Sequence, residues 1–145
     1  MLLEENISVI HMIAFLYRKQ STYLNDKLKE YGLNAGLYPV LITIYKNEDL
    51  IQEEIAKRIG LTKSTITRNL KKLENKGFIK RIPNKRTKII KITEKGKITV
   101  KKIMDLDEKW DEKIIEIIGK NEYNNFLNDL QKISEELIGI EVFKT

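Results

Sequence analysis

The stretch from Gln52 to Lys76 constrains the fold most, because two short helical patterns there flank a tight turn at Gly60 and Leu61. Gln52 to Ile59 reads as one helix closed by Gly60. Thr62 is a suitable N-cap for a second helix running to Lys76, and Gly77 follows as its stop. Within that second helix Ile66, Leu70 and Leu73 recur at i, i+4 and i+7, which points them into a core with Ile55, Ile59 and Leu61. Two helices joined by a turn of about three or four residues containing glycine have the sequence form of a helix-turn-helix. A plain helical hairpin in a bundle has the same form, and this pattern alone leaves both open.

The residues beyond Gly77 narrow the choice. There the helical period gives way to two short Ile-rich runs, Phe78 to Ile82 and Lys88 to Ile92, separated by the turn-forming cluster Pro83-Asn84-Lys85-Arg86-Thr87. This predicts a β-hairpin with a basic tip. Thr93 then caps a long helix in which Ile98, Met104, Leu106, Trp110, Ile114 and Ile118 supply the apolar positions up to Gly119. Asn121 caps a last helix with an apolar stripe at Phe126, Leu127, Leu130, Ile133, Leu137 and Ile138. Upstream, one helix is expected from about Ile7 to Tyr31, stopped by Gly32, and another from about Ala35 to Lys46, with Pro39 in or just past its first turn. The expected class is mostly α with a small β-hairpin wing: a winged helix-turn-helix flanked by N- and C-terminal helices.

Charge locates the working surface. The chain carries a net +6, but from Lys57 to Lys102 there are 17 Lys and Arg against 2 acids, Glu74 and Glu94, so this segment holds +15 and the flanks hold −9. A solvated face mixes both signs; positive charge confined to the middle third is the footprint of a polyanion partner. An anionic membrane surface would need a basic amphipathic helix with a bulky apolar face, whereas this segment contains turns and strand patterns. Nucleic acid is favoured. On the second helix Lys63, Ser64, Thr67, Arg68 and Lys71 lie opposite the apolar row, all donors. That mix suits a major-groove reader, with hydroxyls for base edges, Arg for guanine and Lys for phosphate. Lys85 and Arg86 at the hairpin tip suit an adjacent minor groove or its phosphates. No aromatic platform marks the basic face, which argues against single strands.

Several classes are excluded or disfavoured. The chain has no Cys, so disulfides, thiolate zinc sites and cysteine redox switches are ruled out, and its single His11 leaves little for metal ligation. Neither a cofactor nor a metal is expected. There is no Gly-rich phosphate loop, paired-His motif or nucleophile elbow, and Asp105, Asp107, Glu108, Asp111 and Glu112 lack the spacing of a calcium loop, so an enzyme is not expected. No apolar run approaches a membrane span and the start MLLEEN lacks the basic residues of a signal peptide, so the expectation is a soluble, cytoplasmic chain.

The run Gln52-Glu53-Glu54-Ile55-Ala56-Lys57-Arg58-Ile59-Gly60-Leu61-Thr62-Lys63-Ser64-Thr65-Ile66-Thr67-Arg68 resembles the MarR family of winged helix-turn-helix transcriptional regulators. So do Leu73-Glu74-Asn75-Lys76-Gly77-Phe78-Ile79-Lys80-Arg81 and, at the end of the wing, Ile89-Ile90-Lys91-Ile92-Thr93-Glu94-Lys95-Gly96. Taken with the helix order, the resemblance covers nearly the whole chain. It implies a transcriptional regulator, expected as a repressor, with DNA contacts at Thr62, Lys63, Ser64, Thr65, Thr67, Arg68, Lys71, Lys72, Lys85, Arg86 and Lys88. At the wing tip Asn84-Lys85-Arg86 replaces the family's common Asp-Arg-Arg. The minor-groove arginine therefore carries over onto Arg86 without an acidic brace.

The resemblance also implies a homodimer. Its boundaries are expected at residues 1–34 for an N-terminal dimerisation helix, 35–95 for the winged domain and 96–145 for C-terminal dimerisation helices. The apolar final helix and the tail from Leu137 to Phe143 fit this, though packing on their own long helix is an equal reading of the pattern. A twofold dimer sets two recognition helices about 34 Å apart and predicts a pseudo-palindromic DNA site. Finally, the resemblance implies a small, often aromatic anionic effector that lowers DNA affinity. Tyr17, Arg18, Tyr38 and His11 are its candidate contacts, although spacing alone favours each tyrosine as a core or interface residue, Arg18 as a surface charge and His11 as a packed or hydrogen-bonded helix residue. The alternative is a DNA-binding protein without such a switch, architectural or controlled by a protein partner.

Overall fold

A computed structural model describes residues 6–138, with Ile138 described by its backbone alone. The chain divides into two compact units, one ending at Gly36 and one beginning at Leu37.

The first unit is built on α1 (Val9–Leu28). Ser8 caps it, its hydroxyl accepting the His11 backbone N–H at 3.4 Å. The helix tightens into a single 3-10 turn, Lys29–Tyr31, and the chain reverses at Gly32. The Asn25 side chain then accepts the Ala35 N–H at 2.8 Å and fastens the returning segment to the helix. The helix thus starts and ends slightly inside the range expected from its pattern. Val9, Ile10, Leu16 and Tyr17 point to solvent.

The second unit begins with α2 (Tyr38–Lys46), which starts three residues later than Ala35 because Pro39 occupies the first turn, where its missing N–H costs nothing. There follow β1 (Leu50–Ile51), α3 (Gln52–Ile59), α4 (Lys63–Asn75), β2 (Ile79–Asn84), β3 (Thr87–Ile92), α5 (Glu94–Ile118) and α6 (Lys120–Ile138). The strands form an antiparallel sheet in the order β1-β3-β2, with Leu50 opposite Ile90 and Ile79 opposite Ile92. β1 has no counterpart in the sequence pattern: two residues carry no periodicity, and it exists only through its pairing with β3.

The hairpin also differs from expectation. Pro83 and Asn84 belong to β2, paired with Lys88 and Thr87, so the turn shrinks from the expected five-residue cluster to Lys85 and Arg86. Pro83 is tolerated because β2 is an edge strand. The core of this unit gathers Ile55, Ile66, Leu70, Leu73, Phe78, Ile79, Ile90, Val100 and Ile103, all nearly inaccessible. Ile59 and Leu61, expected in that core, are half-buried, and Ile98 on α5 is exposed. α5 is anchored by Gly96: a β-carbon there would lie 2.3 Å from the Phe78 carbonyl oxygen, so only glycine allows this approach. α6 begins at Lys120 rather than being capped by Asn121. Residues 139–143 of the expected apolar tail lie outside the described residues. No helix among the described residues is long and apolar enough to cross a membrane.

Candidate nucleic-acid interface

The second helix of the pair, α4, owes its start to Thr62, whose hydroxyl accepts the Thr65 N–H at 3.2 Å. The Thr65 hydroxyl lies 2.9 Å from the same oxygen and Ser64 Oγ lies 3.3 Å from it. Thr65 is therefore half-buried in the cap network, while Ser64 stays exposed. Gly60, at φ +68°, supplies the left-handed residue that ends α3 and lets the Leu61 N–H return to the Ala56 carbonyl at 3.0 Å. The two faces of α4 are sharply separated. Ile66, Leu70 and Leu73 are buried; Lys63, Ser64, Thr67, Arg68, Lys71 and Lys72 are exposed. None of these four cations joins an ion pair among the described residues.

The hairpin presents Lys85, Arg86 and Lys88, also exposed. Lys85 takes φ +56° in the two-residue turn, a left-handed conformation that costs a non-glycine residue about 1–2 kcal/mol. An open cleft of about 490 Å³ separates the wing tip from α4; Arg86 and Thr87 border it on one side, Lys63 and Ile66 on another, and Gln52 and Glu53 along α3. α4 and the wing are thus two distinct basic projections with a gap between them.

Not all of the basic segment serves that surface. Arg81 reaches Glu74 at 3.4 Å and ties β2 to the end of α4. Lys91 is ion-paired with Asp49, and this hydrogen bond, more than the neighbouring charges of Asp49 and Glu48, raises its pKa. Lys95 donates to the Lys76 carbonyl at 2.7 Å and sits 4.9 Å above the Phe78 ring, and Lys97 pairs with Glu94 at 3.3 Å. These four cations brace the wing and the start of α5.

Sequence reasoning missed two residues on this face. Gln52, the first residue of α3, donates from Nε2 to the Thr67 hydroxyl at 2.6 Å. Glu53 beside it brings an exposed carboxylate to the cleft. No motif marks either residue: the Gln52 contact joins positions 15 apart across the turn, and Glu53 meets the cleft only once the wing is folded beside α3.

The effector candidates are placed differently. His11, Tyr17 and Arg18 are exposed on α1. Tyr38 in the second unit is buried, and its hydroxyl donates to the Asp107 carboxylate on α5. Burial, then that hydrogen bond and the carboxylate's charge, push the phenol well above its ordinary pKa. Its proton is therefore held toward a carboxylate, a poor neighbour for an incoming anion. Among the described residues no cluster of three or more His, Asp or Glu is placed to hold a metal.

A helix-turn-helix whose second helix presents a polar outer face with no acid from Lys63 to Lys72, followed by a basic hairpin, defines the winged helix-turn-helix class of DNA-binding proteins. The sequence profile of the MarR family matches residues 33–88. The HTH-type regulator YybA of Bacillus subtilis is 37% identical over 92 residues, a stretch that spans 61% of each chain. BilQ, an HTH-type transcriptional regulator of Clostridioides difficile, is 28% identical over 137 residues, covering 92% of this chain and 93% of its own. A MarR transcriptional regulator from Methanosarcina mazei shares the fold, with a TM-score of 0.86 at 24% identity over 96% of this chain and 94% of that one. An HTH-type transcriptional regulator of Bacillus cereus is 32% identical over 98 residues, 67% of each chain, and with the profile match this places the chain in the MarR family of HTH-type transcriptional regulators, which bind DNA and are not enzymes.

Proposed function

We propose that the protein is a cytoplasmic homodimeric repressor that occupies a pseudo-palindromic site in double-stranded DNA. The observation that carries this reading is the outer face of α4: six exposed polar or basic residues, from Lys63 to Lys72, with no acid among them and a buried apolar row behind. Ser64, Thr67 and Arg68 read base edges; Lys63, Lys71 and Lys72 grip phosphate. Thr62 and Thr65 hold the helix N-terminus, whose free N–H groups and dipole favour a phosphate. Lys85, Arg86 and Lys88 bring the wing to the neighbouring groove, where the two-residue tip favours phosphate over deep insertion.

Unsatisfied apolar surface supports the dimer. Val9, Ile10, Leu16 and Tyr17 on α1, and Ile117, Phe126, Leu127, Ile133 and Leu137 on α5 and α6, are exposed, which a monomer in water does not favour. Residues 1–34 and 96–145 supply this interface and 35–95 the DNA contacts. The effector, a small aromatic anion that lowers affinity, rests on the family resemblance. Arg18, Tyr17 and His11 offer it an exposed cation, phenol and imidazole; with its hydroxyl held by Asp107, Tyr38 offers only its ring.

Selection of the purified protein against a random duplex library at fixed salt tests the reading. Enrichment of a pseudo-palindrome with half-sites about one helical turn apart is expected. Tight binding without enrichment would favour an architectural, switch-free DNA-binding protein instead.

A further inference from the structure

The hydroxyl of Thr67 has its hydrogen-bonding capacity divided by its neighbours. It stands mid-row on the exposed face of α4, between Lys63 and Lys71 and beside Ser64 and Arg68. Its oxygen donates to the Lys63 carbonyl at 2.7 Å, and a carbonyl can only accept, so the single proton is committed there. The same oxygen lies 2.6 Å from the side-chain amide of Gln52. With the proton already placed, that partner must donate, which fixes the amide with its nitrogen toward Thr67. One lone pair is then used and one remains.

In a helix threonine ordinarily divides between two rotamers, because its oxygen can bond to either preceding carbonyl. The Gln52 amide holds it in one of them. We propose that Gln52 and Thr67 act as a composite specificity element: Gln52 locks the Thr67 hydroxyl so that it presents only an acceptor to the major groove. An acceptor matches the exocyclic amine of adenine or cytosine and meets the carbonyl oxygen of guanine or thymine unfavourably. Gln52 thus tunes base choice from the first helix of the pair through a residue of the second. This inference rests on the reading of α4 as the major-groove helix.

The test uses the full-length protein and the duplex enriched from the random library, with every half-site position changed to each base in turn. The wild type should prefer adenine or cytosine over guanine or thymine at one position by about three- to tenfold, the span of one neutral hydrogen bond. Thr67→Val keeps the shape and removes the acceptor, and should bring that ratio within about twofold. Gln52→Leu frees the rotamer and should relax the preference at the same position, and the double variant should match Thr67→Val. Each ratio is internal to one variant, so a general loss of affinity or stability does not mimic the effect. An enriched site whose base preference survives Thr67→Val, or a Gln52→Leu effect absent or confined to another position, overturns the inference alone. Absence of any enriched site overturns the proposed reading of α4 as a sequence-specific major-groove helix, and the inference with it.

Discussion

The winged segment and the flanking helices draw on the same residues, Ile, Leu and Lys, and place them in opposite ways. In the winged segment the apolar side chains turn inward: Ile66, Leu70, Leu73 and Phe78 are each no more than 1% exposed, and the charges are left outside. On the flanks Leu24, Leu28, Val100 and Ile103 are buried, yet a second set of large apolar side chains stands outward, with Val9 at 71% and both Ile117 and Leu137 at 79% exposed. The first region is complete within one chain; the second carries a surface that a single chain leaves unsatisfied. Equal hydrophobicity therefore has two meanings, fold in one place and, in the proposed dimer, partner in the other, and mutation separates them.

The largest effect is expected in the winged core. Leu70→Ala removes a fully buried side chain at the centre of the packed row and should cost about 2–5 kcal/mol, seen as a fall in thermal midpoint of roughly 5–15 °C. On the flank, a harsher change should leave the chain's helix content intact. Leu137→Glu puts a charge into the exposed stripe of α6 and should raise the dimer dissociation constant by about tenfold or more, measured by sedimentation, with an unchanged circular dichroism spectrum. If Leu137→Glu leaves the sedimentation coefficient unmoved at micromolar concentration, that stripe is not the dimer contact.

A smaller contrast exists within α4 itself. Arg68→Ala should cost about 1–3 kcal/mol on the preferred site and relax discrimination at one base position. Lys71→Ala, one turn along the same exposed face, should weaken all duplexes alike and reduce the magnitude of the salt slope by about one. Competition binding across a salt series separates the two. Equal losses on specific and random duplexes for Arg68→Ala would move that residue to the phosphate backbone.

The winged segment is the more legible part for a physical reason. Thr62, Gly60 and Gly77 are local signals: a cap hydroxyl or a left-handed glycine acts on residues within one turn, so the ends of α3 and α4 can be read from sequence alone. β1 is not legible because Leu50 and Ile51 become a strand only when Ile89 and Ile90 are beside them. The length of the hairpin is misjudged because Pro83 signals a turn in isolation and becomes an acceptable edge residue only once β3 is in place. At the interface the cations of α4 are given by helical spacing. The diversion of Arg81 and Lys91 to Glu74 and Asp49 is not, since each pair joins different elements. Gln52 and Glu53 escape notice for the same reason.

Glu53 gives the smallest and most discriminating expectation. It is an exposed acid in a cleft whose other charged borders are Lys63 and Arg86, on a face whose proposed partner is a polyanion. Its neighbour Glu54 has a structural task, accepting the Ile51 N–H at 2.9 Å at the start of α3. Glu53 shares only the favourable position near the helix N-terminus, worth about 0.3–1 kcal/mol at low salt. Glu53→Gln should therefore lower stability slightly. Affinity for every duplex should rise by about two- to fivefold at low salt, and the gain should fade as the screening length shrinks below about 10 Å. Discrimination between specific and random duplexes should not change, because removing repulsion from a backbone carries no sequence information. Had Glu53 instead accepted a cytosine amine, the same substitution would leave affinity for random DNA untouched and degrade one base position. The two roles thus predict opposite patterns in a single titration series.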